Sequence, residues 1–244
     1  PASRADELPL FRAQGLTGPR LSTCGLRVTD MGLHAADWWM TVEEELKRGI
    51  EEWGVAFELR SPSFWFLRHG RTASNVQGLI QGHADVGLDG VGRQEARDAG
   101  RSLSLGGFGV RRIVASDLSR ASDTARLVAE ALGLPAPEID PRLRERCFGA
   151  LQGKVVSQAA WLSDDAGVET PASFARRTIE AVMAAVTGPE VMICAHGGTL
   201  RVLAAATGLR LGEAYYRNAT PLQFNLADGQ WSCERPTRAA AVAE

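Results

Sequence analysis

The chain has no apolar run approaching the roughly 18 residues that a membrane-spanning helix needs, so we expect no transmembrane segment. A net charge of −2 and a pI near 6.2 exclude a generally basic nucleic-acid-binding surface. Residues 1–20 carry scattered charges and no continuous apolar core, unlike a secretory signal. The four cysteines are widely spaced and unpatterned, which favours reduced thiols. Together these absences predict a cytoplasmic protein without membrane or nucleic-acid partners.

Sequence motifs for metal and nucleotide binding are also absent. The chain contains no His-Glu-x-x-His segment, no Asp-rich cation loop and no Walker loop. The glycine-rich stretch 106–109 precedes a predicted strand and not a helix, so we interpret it as a connection. We therefore predict no bound metal and no cofactor, and the chemistry must come from side chains.

Apolar runs and helical periodicities alternate along the chain from residue 63 onward. The patterns predict strands at 63–67, 111–115, 137–140 and 190–195, helices at 91–104, 119–132, 173–187 and 199–207, and a final hairpin of 222–226 and 231–234. Strands that alternate with helices form largely parallel sheets covered on both faces. The predicted fold class is therefore α/β, a three-layer αβα sandwich with a largely parallel central sheet and an N-terminal helical extension.

The sequence divides into three parts. We predict one large domain at residues 61–236, an extension at 1–60 and a loose alanine-rich tail at 237–244. Within the extension, residues 41–44 (Thr-Val-Glu-Glu) form a capping box that predicts a helix over about 41–53. The apolar stripe of this helix favours docking on the large domain. A lid over a site or a dimerisation element also fits, and the oligomeric state stays open.

Residues 67–75 are the most informative stretch of the chain. They follow the apolar run 64–67, which reads as a short buried strand. Arg68, His69 and Gly70 thus place a cation, a nucleophile and a bare backbone at the rim of a sheet, where ligands bind in open α/β folds. The alternative interpretation is a surface histidine between two arginines.

A second arginine lies near the start of a predicted helix. Arg120 falls in the first turn of the helix at 119–132, where the helix dipole disfavours a cation by roughly 0.3–1 kcal/mol. A bound anion would reverse that sign. Three side chains are candidate N-caps of this helix, namely Ser116, Asp117 and Ser119. The alternative for Arg120 is an ion pair with Asp117 or Asp123.

A second histidine occupies a comparable junction. The apolar strand at 190–195 runs into His196, Gly197 and Gly198 follow, and a helix is predicted to begin near Thr199. Glycines at such a place let backbone N–H groups approach a phosphate at a helix N-terminus. A lone histidine after a strand is usually structural, but this junction favours an anion site.

A glutamate between two arginines lies in the stretch 143–153. Glu145 follows Leu143 by two positions, and an aromatic-glycine pair and a later glycine come after it. Taken alone, such a glutamate is most often part of a surface salt bridge.

In order, spacing and local context, these four segments resemble the signature of the histidine phosphatase (phosphoglycerate mutase-like) superfamily. The resemblance covers about residues 63–236. It implies that His69 is the nucleophile that becomes phosphorylated, and that Glu145 protonates the leaving oxygen and then activates water. The like charge of a phosphate dianion helps such a carboxyl keep its proton. The groups implied to bind the phosphoryl oxygens or the substrate are Arg68, Arg120, His196, Asn75, Thr72, Gly197 and Arg71.

An alternative interpretation is that the chain is a phosphatase of the cysteine-dependent tyrosine phosphatase class. They need a cysteine, five intervening residues and then an arginine in one phosphate-wrapping loop. Six positions after Cys194 lies Leu200, and six after Cys147 lies Gly153, so neither cysteine has the required arginine. The cysteine mechanism therefore fails on spacing.

Two departures from the mutase pattern favour hydrolysis over phosphoryl transfer. Mutases of this family carry a long insertion after the acid, but here only residues 154–172 separate Gly153 from the next predicted helix. Mutases also usually have asparagine where this chain has Gly198. Arg71 stands where glutamate or glutamine is common, so it either favours a more acidic substrate or pairs with Asp85.

The resemblance therefore implies a metal-independent phosphatase that acts on a small phosphorylated substrate or on a phosphoprotein. A phosphoglycerate mutase-type phosphotransferase is the runner-up. The third reading is a non-catalytic relative that binds a phosphate or a phosphoprotein. The sequence does not identify the substrate.

Overall fold

The computed structural model describes residues 38–54 and 57–236, which hold one six-stranded sheet with helices around it. The strands are β1 (Ser63–Arg68), β2 (Arg112–Ala115), β3 (Glu138–Ile139), β4 (Val191–Ala195), β5 (Pro221–Ala227) and β6 (Gln230–Glu234). The α-helices are α1 (Trp38–Trp53), α2 (Ala73–Gln77), α3 (Gly90–Gly106), α4 (Ser119–Leu132), α5 (Gln158–Trp161), α6 (Pro171–Ala185) and α7 (Gly197–Thr207). Short 3-10 turns lie at Pro141–Leu143, Gly149–Leu151 and Glu213–Tyr216.

The sheet has the strand order β3-β2-β4-β1-β5-β6. The first four strands run parallel to one another, and β5 and β6 pair antiparallel at one edge. The hairpin turn between β5 and β6 has positive φ at Asp228 (51°) and Gly229 (74°), as a two-residue hairpin loop of that composition requires. The prediction of a largely parallel sheet with a final hairpin is confirmed.

Alternation of apolar side chains along β1 explains why helices cover both faces of the sheet. Phe64 and Phe66 are fully buried on one face, in a core that includes residues of α6 and α7. Trp65 and Leu67 are buried on the opposite face, in a core that includes residues of α3 and α4. Successive strand residues point to opposite faces, so one strand supplies both cores. The three-layer αβα architecture is confirmed.

Helix α1 packs on the domain through one apolar stripe. Val42, Leu46 and Ile50 are buried in a cluster that contains residues of α6 and α7. The contact with α6 is close: a Cβ at Gly49 would lie 3.0 Å from the Cα of Ala172. The predicted N-terminal boundary of α1 is wrong, because the helix begins one turn earlier and its capping-box residues lie inside it.

The remaining predictions for both ends of the chain lie outside the described residues, which exclude 1–37, 55–56 and 237–244. Within the described part of the chain, no helix is both long enough and apolar enough to cross a membrane.

Helix α4 begins at Ser119, as predicted, but its N-cap is Leu118 without any side-chain hydrogen bond, so none of the three polar candidates caps it. Two other helices begin earlier than predicted. Helix α6 begins two residues early because Thr170 caps it and Pro171 occupies its first turn. Helix α7 begins at Gly197, directly after His196. The short helix α2 was not predicted, although Thr72 begins a reciprocal capping box there.

Candidate active site

The carboxyl ends of three parallel strands meet at one edge of the sheet. Strand β4 pairs with β1 as far as Arg68 and with β2 as far as Ala115. One residue further, the amides of His69 and Ser116 donate to carbonyls of β4 at 2.9 and 3.1 Å. His196 directly follows β4. The topology therefore brings residues from distant parts of the sequence side by side.

His69 is a buried, neutral imidazole. Its side chain is almost fully enclosed, and its Nδ1 lies 2.8 Å from the carbonyl oxygen of Gly70. Since a carbonyl only accepts, Nδ1 carries the proton and Nε2 keeps a lone pair. Burial lowers the pKa of His69 well below its usual 6.5, and the positive charges of Arg68 and Arg120 lower it further. The ring can therefore act as a nucleophile through Nε2.

Two buried guanidinium groups flank this histidine. Arg120 is fully buried, and it donates to the carbonyls of Gly82 at 2.7 Å and Ala84 at 2.9 Å. Arg68 donates to the Tyr216 carbonyl. The Nε atom of each arginine is buried and has no protein partner among the described residues. Burial lowers the pKa of Arg120 to about 10, so it stays protonated at neutral pH. Both groups suit the binding of an anion.

His196 lies beside the first histidine. The two ring centroids are 5.3 Å apart, and Nε2 of His196 lies 2.9 Å from Oγ of Ser116. Burial lowers the pKa of His196 well below 6.5, and Arg120 and His69 lower it further. A neutral ring that accepts from Ser116 at Nε2 carries its proton on Nδ1. That buried atom has no partner in the described part of the chain, and it can donate to an anion.

Helix α2 holds Asn75 at the site. Oγ1 of Thr72 accepts from the Asn75 amide at 3.2 Å, and Oδ1 of Asn75 accepts from the Thr72 amide at 3.1 Å. Asn218 donates to the same Oδ1 at 3.3 Å and to the His69 carbonyl at 2.8 Å. Thr72 is fully buried beneath this network, so it orients Asn75 from below.

Glu145 lines the same pocket as His69. Its Oε2 accepts from the Gly198 amide at 2.9 Å, and its Oε1 accepts from the Arg146 amide at 2.9 Å. A Cβ at position 198 would lie 2.0 Å from Oε1 of Glu145. The carboxylate can therefore occupy this position only because residue 198 is glycine.

Charged side chains on the far side of the loop hold the backbone around Glu145. Arg177 of α6 donates to the Glu145 carbonyl at 2.9 Å and pairs with Glu169 at 2.6 Å. Nε2 of His83 lies 2.8 Å from the same carbonyl, and Oε2 of Glu169 accepts from the Cys147 amide at 3.0 Å. The backbone on both sides of Glu145 is thus tied to α6, which limits the movement of its side chain.

A pocket of about 260 Å³ opens at this edge of the sheet. The predicted site residues that line it are Arg68, His69, Asn75, Arg120, Glu145 and Gly197. The His196 ring lies 5.3 Å from the ring of His69, and Thr72 accepts a hydrogen bond from the Asn75 amide. The structure therefore brings together residues from all four sequence motifs in one cavity.

Arg71 points away from this cavity. Its Nε donates to Oδ2 of Asp89 at 2.9 Å, so the expected pair with Asp85 is wrong. An isolated bridge between Thr72 and Leu88 brings the two segments together, which places Asp89 within hydrogen-bonding distance of the Arg71 side chain.

The alternative ion pairs of Arg120 are also wrong. Asp117 binds Arg144 at 2.6 Å, and Asp123 lies 3.5 Å from Arg93. Arg120 points instead at the backbone carbonyls described above.

Arg201 and Tyr216 line the pocket but were not predicted as site residues. Nη1 of Arg201 lies 3.2 Å from Oε1 of Glu43, and the Tyr216 hydroxyl donates to the same oxygen at 2.9 Å. The Arg201 guanidinium lies 4.2 Å from the centroid of the Tyr216 ring. An arginine inside the apolar stretch of α7 was the available signal for a buried cation. Tyr216 carried no local signal.

No group of three or more histidine, cysteine, aspartate and glutamate side chains within residues 38–54 and 57–236 could hold a metal ion. Cys194 is a fully buried core residue, and burial raises the pKa of its thiol above the usual range.

Comparisons with known proteins identify the family of this chain. Residues 64–237 match the histidine phosphatase superfamily (branch 1). The 2,3-bisphosphoglycerate-dependent phosphoglycerate mutase of Methylobacterium radiotolerans is 31% identical over 185 residues, which cover 66% of this chain and 87% of that protein. The metal-independent phosphoserine phosphatase of Arabidopsis thaliana is 27% identical over 211 residues, which cover 79% of this chain and 87% of that protein.

Solved structures are similar over the same region. A mycobacterial glucosyl-3-phosphoglycerate phosphatase, solved with VO3, has a TM-score of 0.56 and 28% identity, covering 73% of this chain and all of that one. The chain is also 33% identical to agropine synthesis reductase from Rhizobium rhizogenes over 181 residues, which cover 70% of this chain. The match spans only 41% of the length of that relative. Relatives thus include both phosphatases and phosphoglycerate mutases. From its motifs, its fold and its match over residues 64–237, the chain belongs to the histidine phosphatase superfamily.

Proposed function

We propose that this protein is a phosphomonoester hydrolase that works through a phosphohistidine on His69. The observation that carries the proposal is the state of that ring. It is neutral, its Nδ1 is committed to the Gly70 carbonyl, and its Nε2 is available between Arg68 and Arg120. A phosphoryl group in a loose transition state needs positioned positive charge on its oxygens and in-line attack.

The reaction takes two steps. Nε2 of His69 attacks phosphorus, the bond from phosphorus to the ester oxygen breaks, and Glu145 gives its proton to the departing alcohol. Glu145 then takes a proton from water, the hydroxide attacks phosphorus, and the bond between phosphorus and nitrogen breaks. Inorganic phosphate leaves and His69 returns to its neutral form. Arg68, Arg120 and His196 donate to the equatorial oxygens during both transfers.

Hydrolysis is preferred over mutase chemistry for reasons within this chain. The segment after Glu145 is short, and a side chain at position 198, where mutases usually have asparagine, would meet the Glu145 carboxylate at 2.0 Å and the Trp161 ring at 2.9 Å. A mutase must retain the phosphoryl group and pass it to a second acceptor instead of to water. The two alternatives can be compared with a phosphoenzyme that carries a labelled phosphoryl group. If this group were transferred to unlabelled 3-phosphoglycerate faster than to water, the mutase alternative would replace this proposal.

The first test traps the intermediate. Rapid quenching during turnover of a phosphorus-labelled ester should yield an acid-labile, base-stable phosphohistidine, and peptide mapping should locate it at His69. His69→Ala should keep its fold by circular dichroism and lose nearly all turnover. Glu145→Gln offers a complementary control on p-nitrophenyl phosphate, because the phosphoenzyme still forms but its hydrolysis lacks a base, so the label should accumulate. Wild-type turnover by His69→Ala would refute the mechanism.

The second test concerns metal. We propose that protein cations alone neutralise the transferring phosphoryl group, so treatment with EDTA should leave turnover unchanged. Vanadate should inhibit competitively, because it mimics the five-coordinate transition state. The mycobacterial relative solved with VO3 supports this choice of inhibitor. Loss of turnover with EDTA and its rescue by a divalent ion would contradict the proposal.

A further inference from the structure

The pocket that contains the phosphoryl site also has an apolar wall. Five apolar side chains form this wall, namely Leu79, Ile80, Phe148, Val156 and Trp161. They come from the segment after α2 and from the loop that follows Glu145. A phosphate ester bound at His69 would direct its alcohol part into the same pocket, because both lie in one cavity.

Side chains of this wall pack against one another in the structure. The rings of Phe148 and Trp161 meet edge to face with centroids 5.1 Å apart, and both are almost fully buried. The guanidinium of Arg146 lies 5.2 Å from the Phe148 centroid and 5.8 Å from Trp161. The same group donates to the backbone carbonyls of Trp161 and Ser163. An apolar group that enters the pocket therefore meets a preformed surface.

Among the described residues, three arginines line the cavity, and the charges of two of them, Arg68 and Arg120, lower the pKa of His69. Arg201 is the third, but its charge is matched by Glu43, at 3.2 Å. Glu43 belongs to α1, which precedes the segment that matches the superfamily. A second anionic group on the substrate would therefore meet a cation that is already paired.

We propose that this pocket selects phosphate monoesters whose alcohol part is apolar and uncharged, and that Glu43 enforces this choice by neutralising Arg201. The proposal rests on the phosphatase function given above. Each methylene that the apolar wall removes from water should raise kcat/KM by about fourfold. A carboxylate in the same place would lose its hydration without gaining a free cation.

The first experiment compares two substrates of similar length and leaving-group chemistry, n-butyl phosphate and the phosphate ester of 3-hydroxypropanoate. Wild-type kcat/KM should favour the butyl ester by at least about tenfold, the size expected for desolvating an unpaired polar group. Glu43→Gln keeps an oxygen that accepts from Tyr216 but removes the negative charge. The ratio should then shift toward the carboxylate ester by about fivefold or more, because the negative charge that pairs with Arg201 at 3.2 Å is removed.

The matched control is Glu44→Gln, an exposed glutamate on the same helix, which should leave the ratio unchanged. A wild-type preference for the carboxylate ester would overturn the proposal. Equal ratios in Glu43→Gln and Glu44→Gln would overturn the role of Glu43.

The second experiment tests the apolar wall and does not depend on α1. Wild-type kcat/KM should rise steadily from methyl to butyl phosphate. Val156→Ser should flatten that rise severalfold, because Val156 lines the pocket. Val155→Ser is the matched control and should not flatten the rise, because Val155 is 69% exposed and does not line the cavity. No dependence on chain length in the wild type would refute selection by the wall.

These outcomes separate the two proposals. An enzyme that turns over p-nitrophenyl phosphate through His69 but shows neither preference keeps its function and loses the proposed selectivity. An enzyme without His69-dependent turnover loses both.

Discussion

Substituting Gly198 by alanine is the sharpest test of where the proton donor stands. Gly198 lies in the first turn of α7 and does not have a positive φ, so alanine fits the backbone there. Its Cβ, however, would lie 2.0 Å from Oε1 and 2.9 Å from Cδ of Glu145. Real Cβ atoms do not approach other atoms this closely, so the carboxylate must move away from the Gly198 amide that holds it at 2.9 Å.

The size of the effect follows from the displacement. An ordinary contact begins at 3.4 Å, so the oxygen must retreat by about 3.4 − 2.0 = 1.4 Å. A misplacement of about 1 Å costs about 10²-fold in rate, or about 2.7 kcal/mol of transition-state stabilisation. Alanine in place of glycine favours a helix by up to about 1 kcal/mol, which works against any loss of folding.

The assay uses two leaving groups. Butyl phosphate leaves as a strongly basic alkoxide that needs a proton, whereas p-nitrophenolate hardly does. Gly198→Ala should lower kcat/KM for butyl phosphate by about 10²-fold and lower it much less for p-nitrophenyl phosphate. Glu145→Gln should show the same pattern, with a loss of about 10²–10⁴-fold on the alkyl ester.

Gly197→Ala is the matched comparison, since its Cβ would meet Arg68 at an ordinary 3.6 Å. It should cost less than Gly198→Ala and should affect both substrates alike. Wild-type rates for Gly198→Ala on both esters, or equal losses on the two, would refute the placement of Glu145 as the proton donor.

Two further predictions follow from the buried charges. Arg177→Gln removes one of the two side chains that contact the Glu145 carbonyl, so turnover of alkyl esters should fall about tenfold or more and that of p-nitrophenyl phosphate should be less affected. The adjacent, exposed Arg176→Gln should match the wild type. Equal losses in both variants would point to a general effect on stability. Because burial lowers the pKa of His196 below 6.5, the unfolded chain binds a proton that the folded chain does not. As the pH falls below about 6.5, the unfolding free energy of the wild type should therefore decrease more steeply than that of His196→Gln, by about 1.4 kcal/mol per pH unit. Urea denaturation at several pH values measures both slopes, and parallel slopes would contradict the buried neutral state of His196.

The sequence by itself determined the superfamily and the layer architecture. Arg68 and His69 follow an apolar run, and His196 follows another, so a strand-end location was readable from local pattern alone. Strands alternating with helices were sufficient for a parallel sheet with two covered faces. Parallel strands place their carboxyl ends at one edge, which is why motifs far apart in the chain could be predicted to converge.

Only the tertiary structure decided which groups support and surround those residues. Arg177 and Glu169 hold the loop of Glu145 through contacts between segments that no local pattern connects. The same is true of Glu43, which reaches Arg201 from a helix outside the recognised motifs. Local sequence reports periodicity, caps and turns, because these depend on neighbours along the chain. Which buried cation meets which carboxylate or carbonyl depends on the packing of helices on the sheet, and that is a property of the whole fold.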